Sequence, residues 1–256
     1  MLCLLSPSKT QTTDVAVQGS YTTPLFATQA GQLVRQLSKF SEPELCELMK
    51  MSHRLAVSTS QRLRNFSLPH TPGNSSQALF MFQGDQFKPL DVYHYSQKQR
   101  DHAQSHLVIL SGLYGIIRPL DLMQPYRLEM ATKLAVEENK NLYEFWGERV
   151  TERVNSQLDN DPYPLLVNLA SAEYFKVIRK KMLKAPVLTL SFKQNKGGQL
   201  KTFAVYAKRA RGAMLNFIIS NKITDPAELR NFTADGYSFA QDLSRDNEWV
   251  FVCTLT

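Results

Sequence analysis

The stretch "HLVILSGLYGIIRPLDLMQPYRLEM", residues 106–130, decides the fold. Its first five residues are a short apolar run, the mark of a strand buried on both faces. The next twenty hold two glycines, two prolines and four charged residues. In α/β proteins, loops that leave the end of a buried strand are where ligands are usually met. Gly112 and Gly115 admit backbone conformations closed to other residues, while Pro119 and Pro125 fix φ and push Arg118 and Gln124 toward extended geometry. Arg118 and Arg127 are therefore candidates for bidentate binding of phosphate or carboxylate. Asp121 and Glu129 are either acid/base groups or partners of those arginines, in which case the four charges are structural.

Similar apolar runs recur as "LCLL" (2–5), "ALFMF" (78–82), "LLVNLA" (165–170), "VLTLSF" (187–192), "TFAVY" (202–206) and "EWVFVC" (248–253), and all read as strands. Between them lie helical patterns. Over 141–159 the side chains of Leu142, Phe145, Trp146, Val150, Val154 and Leu158 form one stripe, with Glu148, Glu152 and Arg153 away from it. A helix is predicted over 171–183, with Ser171 as N-cap and Glu173 in its first turn, and another over 206–220 with Met214, Phe217 and Ile218 inward. Strands alternating with helices predict a mixed α/β domain with a central sheet and covering helices. No internal repeat or interdomain linker is visible.

Residues 31–65 are helical throughout. "SEPELCELMK" offers Ser41 as N-cap, Glu44 at the capping-box position and Pro43 in the first turn, and Ser52 can cap a second helix, "HRLAVSTSQRL". Two short helices joined by a tight turn follow, with Lys50, His53, Arg54, Arg62 and Arg64 on one face. Such a pair either presents helix amides to a phosphate or simply packs on the sheet; its turn lacks the glycine that close backbone approach favours.

Of 256 residues 43% are hydrophobic and 21% charged, and no apolar stretch approaches the length of a membrane span. The start "MLCLLSPSKT" reads as a strand, not a leader peptide. Cys3, Cys46 and Cys253 stand far apart, which suggests neither disulfides nor a thiolate metal site and fits a reducing cytoplasm. The net charge of +7 is unevenly placed: between Tyr174 and Thr224 there are twelve basic residues and no Asp or Glu, so the rest of the chain is net acidic. Within that stripe, "YAKRARG" (206–212) puts Lys208, Arg209 and Arg211 into the predicted first turns of a helix, where the dipole disfavours cations and an external anion would compensate. A nucleic acid can engage most of such a stripe, a mononucleotide only a few members. No GxxxxGK[ST], GxGxxG or GxSxG is present, so no nucleotide cofactor is expected. His102 and His106 have i, i+4 spacing but no HExxH context, and read as a polar lead-in to the strand, with no metal expected.

At "LLSPSKT" (4–10), "LMKMSHRLA" (48–56), "SGLYGIIRPLDLMQPYRLEM" (111–130), "LYEFWGERVTERVN" (142–155), "VNLASAEYFK" (167–176), "YAKRARG" and "DGYSF" (235–239), the chain resembles the YaaA family of bacterial peroxide-stress proteins nearly end to end. The resemblance implies one compact domain of unusual topology over 1–256, a positively charged cleft, and a helix-hairpin-helix element falling on about 43–60. It further implies binding to DNA, as duplexes and as branched or partly unpaired forms, and protection against hydrogen peroxide. Three places depart from the family pattern: "VSTSQRL" (57–63), "QGDQF" (83–87), and Lys193 with Gln194 where acidic residues are usual.

The leading expectation is a non-enzymatic, largely sequence-independent DNA-binding protein. Its expected contacts are Lys9, Lys50, His53, Arg54, Arg118, Arg127, Lys176, Lys201, Lys208, Arg209 and Arg211. The alternative is an enzyme acting on a base, a glycosidic bond or a small phosphorylated ligand. There Lys9 or Lys176 would be the nucleophile and Glu129 or Glu173 the acid/base group, with Ser6, Asp121, Asn168 and Ser171 as polar residues of the cleft. Ligand-rich spacing for an iron-handling role is missing.

Overall fold

In the computed structural model, which describes residues 1–13, 15–159 and 161–254, the apolar runs at 2–5, 107–111, 166–168, 187–196 and 248–254 become the parallel spine of one sheet. The elements in order are β1 (Leu2–Leu5), α1 (Ala27–Leu37), α2 (Glu42–Met49), α3 (His53–Asn65), β2 (Ser76–Gln77), α4 (Ala78–Met81), α5 (Gln97–His106), β3 (Leu107–Ser111), β4 (Gly115–Ile117) and β5 (Leu122–Met123). Then follow α6 (Leu142–Leu158), β6 (Leu166–Asn168), α7 (Ala172–Phe175), β7 (Val187–Lys196), β8 (Gln199–Lys201), α8 (Ala204–Asn221), β9 (Ser238–Phe239) and β10 (Glu248–Thr254). The sheet order is β4-β3-β1-β6-β7-β10-β9, with β8 paired to the end of β7; β2 and β5 form a separate two-stranded ladder. Antiparallel β4 and β9 close the two sides, so the sheet is mixed.

β1 and β3 are buried along their whole length, as continuous apolar runs require. β7 instead alternates, with Leu188, Leu190, Phe192 and Gln194 buried and the intervening residues half-exposed. The predicted stripe of α6 lies in the core in full, and its Trp146 donates from Nε1 to the Gly112 carbonyl at 2.8 Å. α2 carries the capping box expected of Ser41 and Glu44.

Three expectations fail, each for a local reason. "ALFMF" is one helical turn rather than a strand. The Ala78 and Leu79 N–H groups donate to the carbonyls of Asp121 and Pro119, which satisfies the start of the turn from outside, and a short wholly buried apolar run fits either state. "TFAVY" does not extend β8 along β7: the Phe203 N–H donates to the Gln194 side chain and the chain turns into α8, which starts at Ala204 and carries Lys208, Arg209 and Arg211 beyond its first turn. The helix over 171–183 stops at Phe175. There α6 side chains take over the backbone: Thr151 accepts from the Arg179 N–H, while Asn155 accepts from Lys184 N–H and donates to the Met182 carbonyl. His102 and His106 lie on α5, which leads directly into β3.

Candidate functional site

β1 and β6 are neighbours, but the chain leaves β1 toward β3 on one side and leaves β6 toward β7 on the other. Diverging crossovers open a crevice at the carboxyl ends of such a strand pair. The two loops are stitched together across it. The Ser171 N–H donates to Ser6 Oγ at 2.9 Å, the Ser6 hydroxyl meets Ser171 Oγ at 3.3 Å, and Asn168 accepts from the Ala170 N–H at 3.0 Å. Ser171 thus holds the N-cap position of α7, but its hydroxyl faces Ser6 instead of capping the helix.

Lys9, on the loop after β1, reaches Glu129 at 2.7 Å, joining the first loop to the far end of the 111–130 stretch. Glu173 accepts from the Ala131 N–H at 3.2 Å, so a third strand-end loop holds the same segment. Lys176 turns aside, its ammonium 4.9 Å from the centre of the Tyr143 ring, whose hydroxyl donates to the Glu173 carbonyl. Ser6, Lys9, Glu129, Asn168, Ser171 and Glu173 therefore converge, while Lys176 lies at the margin.

Outside this crevice is a cleft of about 600 Å³. One wall is Lys9 with Glu129, Thr132 and Lys133; the other is α2, through Glu44, Glu47, Leu48 and Lys50. Three glutamates against three lysines make it balanced, not the positively charged cleft the resemblance implies. Ser41 donates its hydroxyl and its N–H to Glu44, which lowers that carboxyl from its ordinary pKa. Lys50 ends α2 in the left-handed region, φ 49°, a position glycine usually fills. Beyond it His53 and Arg54 stand exposed in the first turn of α3, where Ser52 makes no side-chain cap. His53 lies 3.8 Å from Glu42.

The remaining expected residues go elsewhere. Arg118 is committed to Asp121: its guanidinium donates at 2.8 Å and its N–H at 2.8 Å, and the Thr22 hydroxyl adds a bond of 2.6 Å to the same carboxylate, which is 1% exposed. That half of the charged motif is structural. Arg127 pairs with neither acid and sits beside Arg62. Arg211 is half-buried, and burial lowers its pKa, so it is not a free surface cation.

Part of the basic stripe, namely Lys193, Lys196, Lys201, Lys208 and Arg209, lies at the carboxyl edge of the sheet, whereas Lys180, Lys181 and Lys184 precede the amino end of β7 and Lys222 follows the far end of α8. β7 runs out past Lys193 to Lys196, turns through Gly197 and Gly198 (φ 59° and 80°) and returns as β8 to Lys201. Buried Gln194 then accepts from the Phe203 N–H at 2.9 Å and donates to the Tyr237 hydroxyl at 2.6 Å, which fixes the start of α8 on this same edge. β7 lies two inter-strand steps from β1, about 10 Å. Lys208 and Arg209 are exposed, and Arg209 reaches Asp235 at 3.2 Å.

Cys3, buried on β1, has its thiol pushed up to about 12 by burial. His102 and His106 stack at 4.3 Å, and among the described residues no three His, Cys, Asp or Glu side chains gather as a metal would require. Sequence reasoning named Glu44 and Lys50 but missed Glu47 and Leu48 of the α2 wall, and also Thr132, Lys133, the aromatic seat of Lys176 and the turn at Gly197 and Gly198; of these the "GG" turn, flanked by polar strand ends, left a signal in sequence.

A family model described as "Peroxide stress protein YaaA" matches residues 1–243. Similar chains include a UPF0246 protein of Acaryochloris marina, 46% identical over 251 residues (98% of this chain, 99% of the relative). A UPF0246 protein of Ralstonia nicotianae is 46% identical over 252 residues (98% of each), and one of Desulfotalea psychrophila is 44% identical over 255 residues (100% and 99%).

Proposed function

The chain belongs to the peroxide stress protein YaaA family, and on that premise we propose that it acts in the response to hydrogen peroxide as a DNA-binding protein whose carboxyl sheet edge takes the phosphate backbone. One observation carries this reading. Of the twelve cations between Tyr174 and Thr224, Lys184 and Arg209 have a carboxylate within 4.0 Å, and the others have none among the described residues. Four of the unpaired ones, Lys193, Lys196, Lys201 and Lys208, stand at the carboxyl edge of the sheet, and charges so held apart from carboxylates suit a polyanion, which they bind by releasing its counterions. The α2–α3 pair, as a helix-hairpin-helix element, would add Lys50, His53, Arg54 and the uncapped amides of α3.

The test is affinity for a duplex and a four-way junction between 50 and 200 mM salt. Wild type should weaken steeply with salt. The Lys201→Glu/Lys208→Glu variant should bind less tightly and lose about two units of the log–log salt slope, about one per phosphate contact removed. Equal binding by this variant, or no binding by wild type at 50 mM salt, would sink the reading.

A second reading rests on a different observation, the meeting of Lys9, Glu129 and Glu173 at one crevice. We propose it as the alternative: an enzyme acting on a base or glycosidic bond, with Glu129 as acid/base group once Lys9 parts from it. Glu129→Gln should then abolish turnover of duplexes carrying oxidised bases while leaving duplex affinity within twofold. Absence of turnover by wild type across such substrates removes this reading and leaves the first intact.

A further inference from the structure

Residues 196–206, from the end of β7 through β8 to the first turn of α8, are exposed without interruption. Four of them carry large apolar side chains: Leu200 is 41% exposed, Phe203 36%, Val205 61% and Tyr206 46%. Single apolar residues on a surface need no account, but four so close along the chain put apolar area in water that a partner would cover. The backbone beneath them is fixed. Buried Gln194 accepts from the Phe203 N–H at 2.9 Å, and the Phe203 carbonyl accepts from the Ala207 N–H at 2.9 Å. The Phe203 and Tyr206 ring centroids lie 6.2 Å apart with their planes at 66°. Such an edge-to-face contact covers a face of one ring at most and leaves the other π-faces open. On α8, Lys208 follows Val205 by three residues and Arg209 follows Tyr206 by three, spacings that put each cation on the same helix face as its apolar neighbour. Lys201 and Lys208 have no carboxylate within 4.0 Å among the described residues.

We propose that Phe203 and Tyr206 form a stacking platform for the unpaired bases of single-stranded DNA, set beside the cations that take its phosphates. In a duplex each base spends its π-faces on its neighbours; a strand without a partner offers them to protein rings, whatever its sequence. Open rings beside unpaired lysines match both parts of that ligand. The inference rests on the DNA-binding reading above and adds to it residues that tell an unpaired strand from a duplex.

The full-length protein is titrated, by fluorescence anisotropy, into a labelled oligothymidylate, which cannot pair with itself, and into a blunt duplex of equal length. Wild type should bind both. Phe203→Ala and Tyr206→Ala should each weaken oligothymidylate binding about tenfold and leave duplex affinity within about twofold. Tyr206→Phe keeps the ring and should keep the affinity, whereas Tyr206→Leu keeps apolar bulk without a π-face and should lose it; this exposed position carries the test if Phe203→Ala does not fold. Ultraviolet irradiation of the complex should join thymine to the peptide that contains Phe203 and Tyr206. Loss of duplex and oligothymidylate binding in equal measure, or Tyr206→Leu binding as wild type does, overturns the inference. So does duplex binding by wild type without oligothymidylate binding, which leaves the DNA-binding reading standing; binding of neither removes both. Ring-dependent binding to phosphatidylserine vesicles without oligothymidylate binding gives the patch to a membrane surface and likewise overturns it.

Discussion

A Cβ added at Gly112 would stand 2.2 Å from the Leu128 carbonyl oxygen, and one at Gly115 would stand 2.6 Å from the Trp146 ring at a φ of 68°. Neither site has room for a side chain, so Gly112→Ala and Gly115→Ala should each cost about 2–3 kcal/mol in urea unfolding, from clash and, at Gly115, backbone strain. Asp121→Asn should cost more, about 3–5 kcal/mol, because it leaves the Arg118 guanidinium without its counter-charge; its DNA affinity at low temperature should stay near wild type. The motif's sequence could show four charges and a stiff backbone, but not their pairing. Arg118 with Asp121 is a contact three residues long, within reach of local reasoning as one of two alternatives. Lys9 with Glu129 joins distant parts of the chain, and no local pattern encodes it. Thiol chemistry is similarly hidden in sequence and plain in structure. With its pKa near 12, Cys3 is thiolate in only about one molecule in ten thousand at pH 8, so alkylation of the native protein should label half-exposed Cys46 and spare Cys3 and Cys253, as read by peptide mass.

At the scale of elements, legibility followed periodicity and caps. The stripe of α6 and the capping box of α2 were readable because each is a complete local signal. "ALFMF" and "TFAVY" were not, because a five-residue apolar run is compatible with either state and the decision came from what lay beside it: carbonyls of the 119–121 turn in one case, the Gln194 side chain in the other. The turn between α2 and α3 has no glycine for close backbone approach, and the left-handed position that ends α2 is filled by Lys50. Lys50→Gly should therefore hold or raise stability by up to about 1 kcal/mol, while weakening DNA binding if this turn meets phosphate; a parallel fall in both quantities would remove the turn from the binding surface.

Over the whole molecule, pH acts through two histidines kept neutral by the fold. Burial pushes His70 down to about 4, and burial, then the charge of His106, push His102 to about 4. Unfolded histidines titrate near 6.5, so between pH 6.5 and 4 the unfolded chain binds more protons and stability falls as pH falls. The slope is at most about 1.4 kcal/mol per pH unit for His70, and less for half-exposed His102. Urea midpoints at pH 7 and pH 5 should show this loss, and His102→Gln should flatten it in part.

β1 lies inside the sheet, its neighbours supplied by Leu107–Ile109 on one side and Leu166–Asn168 on the other. During synthesis this wholly apolar strand leaves the ribosome long before either partner exists, and at about 5–20 residues per second it waits on the order of ten seconds for the second. For that interval the protein's most buried segment is its most exposed. A newly made chain should accordingly depend on chaperone shielding, and refolding from denaturant should be slow and limited by concentration, since pairing across such separations is late and aggregation competes with it.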